Sequence, residues 1–196
     1  MFDQISPRYD LLNRLLSLGI DQGWRRKAIA TLKAEKPKLI LDVATGTGDF
    51  AIAALKLNPQ KVIGVDISEG MLAHGRQKLR KRQLDHLIEL QSGDSENLNF
   101  PDNYFDAVIV SFGVRNFENL EKGLANIHRV LKPGGRLVVL EFSKPRVFPF
   151  RQIYHFYFHK ILPKIGKAVS QDQSAYAYLP ASVQVFPDGP EFLKIL

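Results

Sequence analysis

The sequence predicts an α/β fold, a doubly wound parallel sheet with helices on both faces. Three observations predict it. Short continuous apolar runs at Leu39–Val43, Lys61–Asp66, Phe105–Phe112 and Arg136–Phe142 alternate with stretches of helical periodicity. Such runs lack an inside–outside alternation, which suits parallel strands buried on both faces. The first run leads into a glycine turn and the second ends in an acid, Asp66, the order found where such a sheet holds a nucleoside. The chain is 196 residues with 45% hydrophobic residues, enough for one domain with a covered sheet.

Taken in order, the chain opens with Leu11, Leu12, Leu15 and Leu16 at helical spacing, with Asp10 placed to cap and Gly19 placed after the end. A second short helix is predicted over Trp24–Leu32, broken by Pro37. The strand Leu39–Val43 is followed by a glycine loop and a helix over Asp49–Leu57. After the strand Lys61–Asp66, Ser68 caps a long helix reaching Gln83. Leu87–Gln91 is a weaker strand and Phe105–Phe112 a strong one. Leu120–Leu131 reads as a helix closed by Lys132-Pro133-Gly134-Gly135, before the strand Arg136–Phe142. Beyond Ser143 the chain turns aromatic and basic, and a further helix begins between Gly189 and Leu196. The organisation expected is a helical cap over 1–36, a cofactor-binding core over 37–143, and a substrate- or membrane-facing insertion with the chain end over 144–196.

Composition narrows the chemistry. There is no cysteine, so disulfides, thiolate metal sites and cysteine nucleophiles are excluded, and no metal site is expected. No apolar run is long enough to span a bilayer, and the start has no signal-peptide pattern. The net charge of +7 points to an anionic surface, such as a membrane leaflet, or to a generally basic chain. Nucleic acid is not the expected partner, because no base-reading element is visible.

The loop Asp42-Val43-Ala44-Thr45-Gly46-Thr47-Gly48-Asp49 carries the sharpest signal. Gly46 and Gly48 let the backbone turn tightly and approach a ligand, and Asp66 is placed to accept from both ribose hydroxyls of an adenosine. Spacing alone admits either a nicotinamide dinucleotide or S-adenosylmethionine. The carboxylates of Asp42 and Asp49 would repel a pyrophosphate and suit the ammonium and sulfonium of S-adenosylmethionine. Asp94 and the Ser95 amide stand where an adenine ring would lie. A dinucleotide oxidoreductase is further disfavoured by the lack of a Tyr-x-x-x-Lys pair.

Together with Asn99-Phe100-Pro101-Asp102 and Leu131–Gly135, these motifs resemble class I methyltransferases of Rossmann-like fold. Three stretches resemble the UbiE/MenG family of quinone methyltransferases more specifically. They are Met1–Asn13 continuing through Leu18–Asp21 and Trp24–Arg26; Val110-Ser111-Phe112-Gly113-Val114-Arg115-Asn116; and Leu140-Glu141-Phe142-Ser143-Lys144-Pro145. The resemblance covers nearly the whole chain. It implies C-methylation of a polyprenylated quinol, demethylmenaquinol first, with a ubiquinone precursor or another small lipophilic molecule as the alternative. It implies S-adenosylmethionine as cofactor, with contacts at Thr47, Asp66, Asp94, Ser95 and Ser111. It also implies further C-terminal strands that this chain lacks.

Methyl transfer to an aromatic carbon needs in-line alignment, exclusion of water and electron density on the ring. A phenol with a pKa near about 10 becomes far more nucleophilic on losing its proton. Arg115 and Asn116, above the end of the fourth strand, are the expected catalytic pair, as electrostatic stabiliser and hydrogen-bond donor to the phenolate. Arg115 has an alternative as a structural ion pair. Tyr9, Asp10 and His155 are further candidates for proton transfer. Phe150, Tyr154, Tyr157 and Phe158 fall at helical spacing and suit an isoprenoid tail or a peripheral membrane contact, with core packing as the alternative. The cytoplasm, at the inner face of the cell membrane, is the expected location, and a homodimer is left open.

Overall fold

The computed structural model describes residues 17, 19–144, 147–149, 151–152, 156 and 181–196. The strands are β1 (Leu39–Val43), β2 (Lys61–Asp66), β3 (Ile88–Ser92), β4 (Phe105–Ser111) and β5 (Leu131–Leu140). The helices are α1 (Ile20–Ala30), α2 (Asp49–Ala54), α3 (Glu69–Lys81), α4 (Leu120–Val130) and α5 (Pro190–Leu193). Every strand pair is parallel and the order is β3-β2-β1-β4-β5. The chain winds outward from β1 in one direction, then restarts at β4 on its other side. That reversal opens a crevice at the C-terminal ends of β1 and β4, where a ligand can enter.

Apolar cores lie on both faces of the sheet and bury the central strands β1 and β4, whereas β5 is only partly covered. Successive side chains point to opposite faces of a strand. Ile40, Ala107 and Ile109 accordingly join Ile29, Phe50, Leu72 and Leu79 in one core. Their neighbours Leu41, Val108 and Val110 join Leu124, Ile127, Val130 and Phe186 in the other. The predicted capping of α3 is present: Ser68 Oγ accepts from the Met71 amide at 3.2 Å, a contact worth about 1 kcal/mol.

The structure moves several predicted boundaries. Helix α1 starts at Ile20 instead of Trp24, because Asp21 and Arg25, one turn apart, form a buried ion pair that the extra turn accommodates. Gly19 adopts a left-handed φ of 75° just before it. The segment Lys132–Gly135 is not a turn preceding the last strand. Leu131 already pairs with Phe105, Ala107 then pairs with Arg136, and the intervening residues bulge out of β5 with Gly134 at φ 79°. Strand β5 stops at Leu140, because the Phe142 amide donates to the Glu141 carboxylate at 2.9 Å instead of extending the ladder. Strand β4 stops at Ser111, where Phe112 turns to φ 57°. The predicted helix near Leu11–Leu16, together with Tyr9, Asp10, Phe150, Tyr154, His155, Tyr157 and Phe158, lies outside the described residues. No helix among the described residues is long and apolar enough to cross a membrane.

Candidate active site

The loop after β1 is built by left-handed backbone. Ala44, Gly46 and Gly48 take φ values of 54°, 57° and 82°. Glycine occupies this region without strain, whereas Ala44 does so at a cost. The Thr45 amide donates to the Val65 carbonyl at 3.0 Å, so the loop arches over toward β2. Asp42 fastens it from below: its Oδ2 accepts from Thr45 Oγ1 at 2.6 Å and from the Ala51 amide at 2.9 Å. The second oxygen, Oδ1, has no hydrogen-bond partner and the residue is wholly buried. Burial pushes its carboxyl up to about 7.

The two acids singled out around the loop therefore differ from the plain sequence picture. Asp49 is paired: Lys78 Nζ donates to Asp49 Oδ1 at 2.7 Å and to Thr47 Oγ1 at 2.9 Å. Asp42 is a loop fastener whose charge is disfavoured by burial.

Above the loop lies a cavity of about 290 Å³. Ala44, Gly46, Asp66, Asp94, Ser95, Ser111 and Asn116 line it, drawn from the ends of β1 to β4. Asp42, Thr47, Gly48 and Arg115 are not on its wall. Its lining holds four carboxylates, Asp66, Asp94, Glu96 and Glu118, and no lysine, arginine or histidine among the described residues. Asp66 is aimed by backbone donors, the Gly46 amide at 2.8 Å and the Ser68 amide at 2.9 Å. Asp94 accepts from the Glu96 amide at 2.8 Å. Ser111 Oγ is buried on this wall with no hydrogen-bond partner. An unmet hydroxyl facing a cavity suits a polar ligand. Gly113 also lines it, and a Cβ there would come within 2.6 Å of the Ala44 Cβ, so the crevice between β1 and β4 needs glycine.

The ends of β4 and β5 make a different environment. Phe112 lines the cavity and stacks on Phe142, with ring centroids 4.6 Å apart, and Trp24 from α1 meets both rings edge-on at 6.4 Å. Arg115 sits on a 3-10 turn, Val114–Asn116. It donates to the Phe112 carbonyl at 2.7 Å, to Glu141 Oε1 at 2.6 Å and to Ser182 Oγ at 3.3 Å. Its guanidinium lies 5.5 Å from the Phe142 ring centre. The structure thus realises the structural ion-pair alternative for Arg115, and of the expected catalytic pair only Asn116 reaches the cavity wall. Glu141 Oε2 is buried and unpartnered, and burial pushes this carboxyl up despite the neighbouring Arg115.

Three side chains that help build the site were given no individual role by the sequence reading: Lys78, Trp24 and Glu141. For Glu141 a signal existed, an acid at the end of an apolar strand directly before Phe142. For Lys78 none did, since a lysine on a helix face is ordinarily solvated. No group of potential metal ligands occurs among the described residues.

With this geometry in place, comparison with known proteins is informative. A model of the ubiE/COQ5 methyltransferase family matches residues 1–196. A demethylmenaquinone methyltransferase of Bacteroides fragilis is 53% identical over 100% of this chain and 80% of its own length. A ubiquinone/menaquinone biosynthesis C-methyltransferase, UbiE, of Geobacter sulfurreducens is 48% identical over 100% of this chain and 77% of its own length. Among solved structures, an S-adenosylmethionine-dependent methyltransferase from Aquifex aeolicus superimposes with a TM-score of 0.52 at 26% identity, covering 57% of this chain and 60% of that one.

Proposed function

The chain belongs to the ubiE/COQ5 methyltransferase family, and from that premise we propose that it moves the methyl group of S-adenosylmethionine to a ring carbon of a polyprenylated quinol, demethylmenaquinol above all. The observation that carries the choice of donor is the cavity wall, with four carboxylates and no cationic side chain among the described residues. A pyrophosphate would meet only like charge there, whereas a sulfonium and an ammonium meet opposite charge.

The residues present fit the cofactor. When bound, S-adenosylmethionine supplies a methyl group already activated on a positively charged sulfur. Asp66 would hold the ribose hydroxyls, and Asp94 and Ser95 the adenine edge. Ser111 would satisfy its buried hydroxyl on the methionine end, and Asp42 would answer the ammonium from beneath the loop. Thr47 and Gly48 shape the loop from behind, Thr47 through Lys78. On the other side, Phe112, Phe142 and Trp24 offer flat apolar surface to an aromatic ring. Asn116, on the wall between the two, would bond the ring oxygen, and Arg115 would steady negative charge on it from one shell back.

The name carried by the Bacteroides relative favours demethylmenaquinol. The Geobacter name covers ubiquinone biosynthesis too, so a ubiquinone precursor is the second reading. A polyprenyl substrate resides in a bilayer, and the exposed apolar Val147, Phe148 and Phe156 support a peripheral contact with its surface.

The test presents demethylmenaquinol in lipid vesicles to the purified protein with methyl-labelled S-adenosylmethionine. The expected product is the quinol carrying one labelled methyl on a ring carbon. Absence of transfer, with uptake of a nicotinamide dinucleotide instead, overturns the reading.

A further inference from the structure

We propose that Glu141 is the group that takes the proton from the quinol hydroxyl, with Arg115 as the cation it shares with the resulting phenolate. This rests on the quinol reading above. Four observations lead to it. Glu141 is one of the few acids held inside the protein, its side chain 7% exposed. Its two oxygens are unequal: Oε1 accepts from Arg115 and the Phe142 amide, whereas Oε2 has no partner. It follows Leu140, which pairs with Ser111 on the neighbouring strand, so it lies one strand over from the cavity wall. Its neighbour Phe142 completes the aromatic stack with Phe112 and Trp24.

A buried carboxylate oxygen without a partner is costly to keep, and groups of this kind are found where a protein uses them chemically. Accepting a proton is a task that suits this surround. Before transfer the guanidinium of Arg115 is balanced by Glu141. The quinol O–H bond breaks, an O–H bond forms at Oε2, and the negative charge passes to the phenolate oxygen. The site's total charge is unchanged, so no new buried charge is created, and Arg115 remains the counter-ion throughout. The phenolate's electron pair then drives the ring carbon onto the methyl group as the methyl–sulfur bond breaks, its pair going to sulfur. The ring carbon then gives its proton to solvent water, the C–H pair restoring aromaticity and the negative charge on the ring oxygen, and Glu141 returns its proton to that oxygen. Arg115 is too basic to serve as the acceptor itself.

Among the described residues, the charged groups near the carboxyl are engaged as follows. Arg115 faces it from the 3-10 turn. Lys144, further along its own segment, turns its ammonium to the Gln184 and Phe186 carbonyls. Asp188 on the 181–196 segment accepts from the Lys144 amide, and Ser182 of that segment bonds Arg115. Arg25 on α1 is paired with Asp21 and lies over Phe112.

The experiment compares the protein with Glu141→Gln and Glu141→Ala, using demethylmenaquinol and saturating labelled S-adenosylmethionine. Glu141→Gln keeps shape and an acceptor for Arg115 but leaves that buried guanidinium without its counter-charge, so the melting temperature is expected to fall while the protein stays folded, donor affinity to hold, and turnover to drop by about a hundredfold or more. Formate is expected to restore part of the turnover of Glu141→Ala, as a small carboxylate filling the gap. In the unaltered protein, turnover is expected to fall as the pH is lowered, at a pH above that at which an ordinary carboxylate titrates, because burial raises the acceptor and it must be ionised. A Glu141→Gln protein that turns over like the original, a profile flat through that acid range, or no response to formate overturns the role. If the unaltered protein leaves the quinol unmethylated, the substrate reading falls and this role with it. An active original beside an active Glu141→Gln rejects only the role of Glu141.

Discussion

The two ends of the crevice are built by opposite means. On the β1–β3 side, a cavity wall of carboxylates is held by backbone amides, and its acids are oriented by donors two to twenty residues away, as with Ser68 and Gly46 on Asp66. On the β4–β5 side, aromatic rings surround one buried ion pair whose members are 26 residues apart. The first arrangement favours a cation, the second a flat apolar ring that passes through an anionic state. On the function proposed above, one sheet end serves two reactants: carboxylates on one strand group, buried paired charge on the other.

The sharpest way to break this comparison is Asp66→Ala. It removes a carboxylate aimed at the cavity, and two charge-assisted hydrogen bonds are together worth about 3 to 6 kcal/mol. Titration calorimetry is expected to show donor affinity lowered by a hundredfold or more at that magnitude, with quinol binding unaffected. An unchanged affinity would mean that the acidic wall is not where the donor sits.

Next in size is Arg115→Ala, which strikes the dry side. It strands Glu141 as a buried carboxylate, at a cost of about 3 kcal/mol measured by denaturant unfolding near pH 8. Glu141 escapes the penalty by taking up a proton, so the deficit should shrink as the pH falls. Donor affinity should hold, and most turnover should be lost. A deficit independent of pH would show that the pair is not the source of the cost.

The smallest effect concerns Asp42 and sharpens the contrast. Its carboxyl titrates near 7 in the cofactor-free protein. Because this folded-state value lies above the ordinary one, the uncharged form is favoured, and stability falls as pH rises from the usual carboxylate range to about 7, then levels off. The donor's ammonium favours the ionised form. Donor affinity should therefore rise by about tenfold between about pH 6 and about pH 8, with proton release below neutrality, and Asp42→Asn should flatten that rise. A flat affinity profile in the unaltered protein would place the ammonium elsewhere.

Much of the fold was legible because it is local. Leu39–Val43 and Phe105–Ser111 are strands buried on both faces, and a run of apolar residues says so directly. Gly46, Gly48 and Ser68 announce a loop and a cap through their own chemistry. What was not legible depends on partners far along the chain. Lys78 neutralises Asp49 from another helix, and Glu141 claims Arg115 from another strand, so the roles of Asp49 and Arg115 were set by residues no window contains. The Lys132–Gly135 segment has the residues of a turn, yet pairing of Leu131 with Phe105 recruits it as a bulge inside β5. Phe112 in left-handed backbone has no sequence signature at all, since a bulky side chain argues against it.

Phe112 deserves its unusual backbone for a reason that reaches beyond its own position. It lines the cavity, its carbonyl receives Arg115, and its ring meets Phe142, Trp24 and the Arg25 guanidinium. It is a party wall: one residue shared by the acidic cavity and the packed aromatic cluster. A substitution at this position therefore disturbs the acidic cavity and the aromatic cluster together, and neither can be altered from there alone.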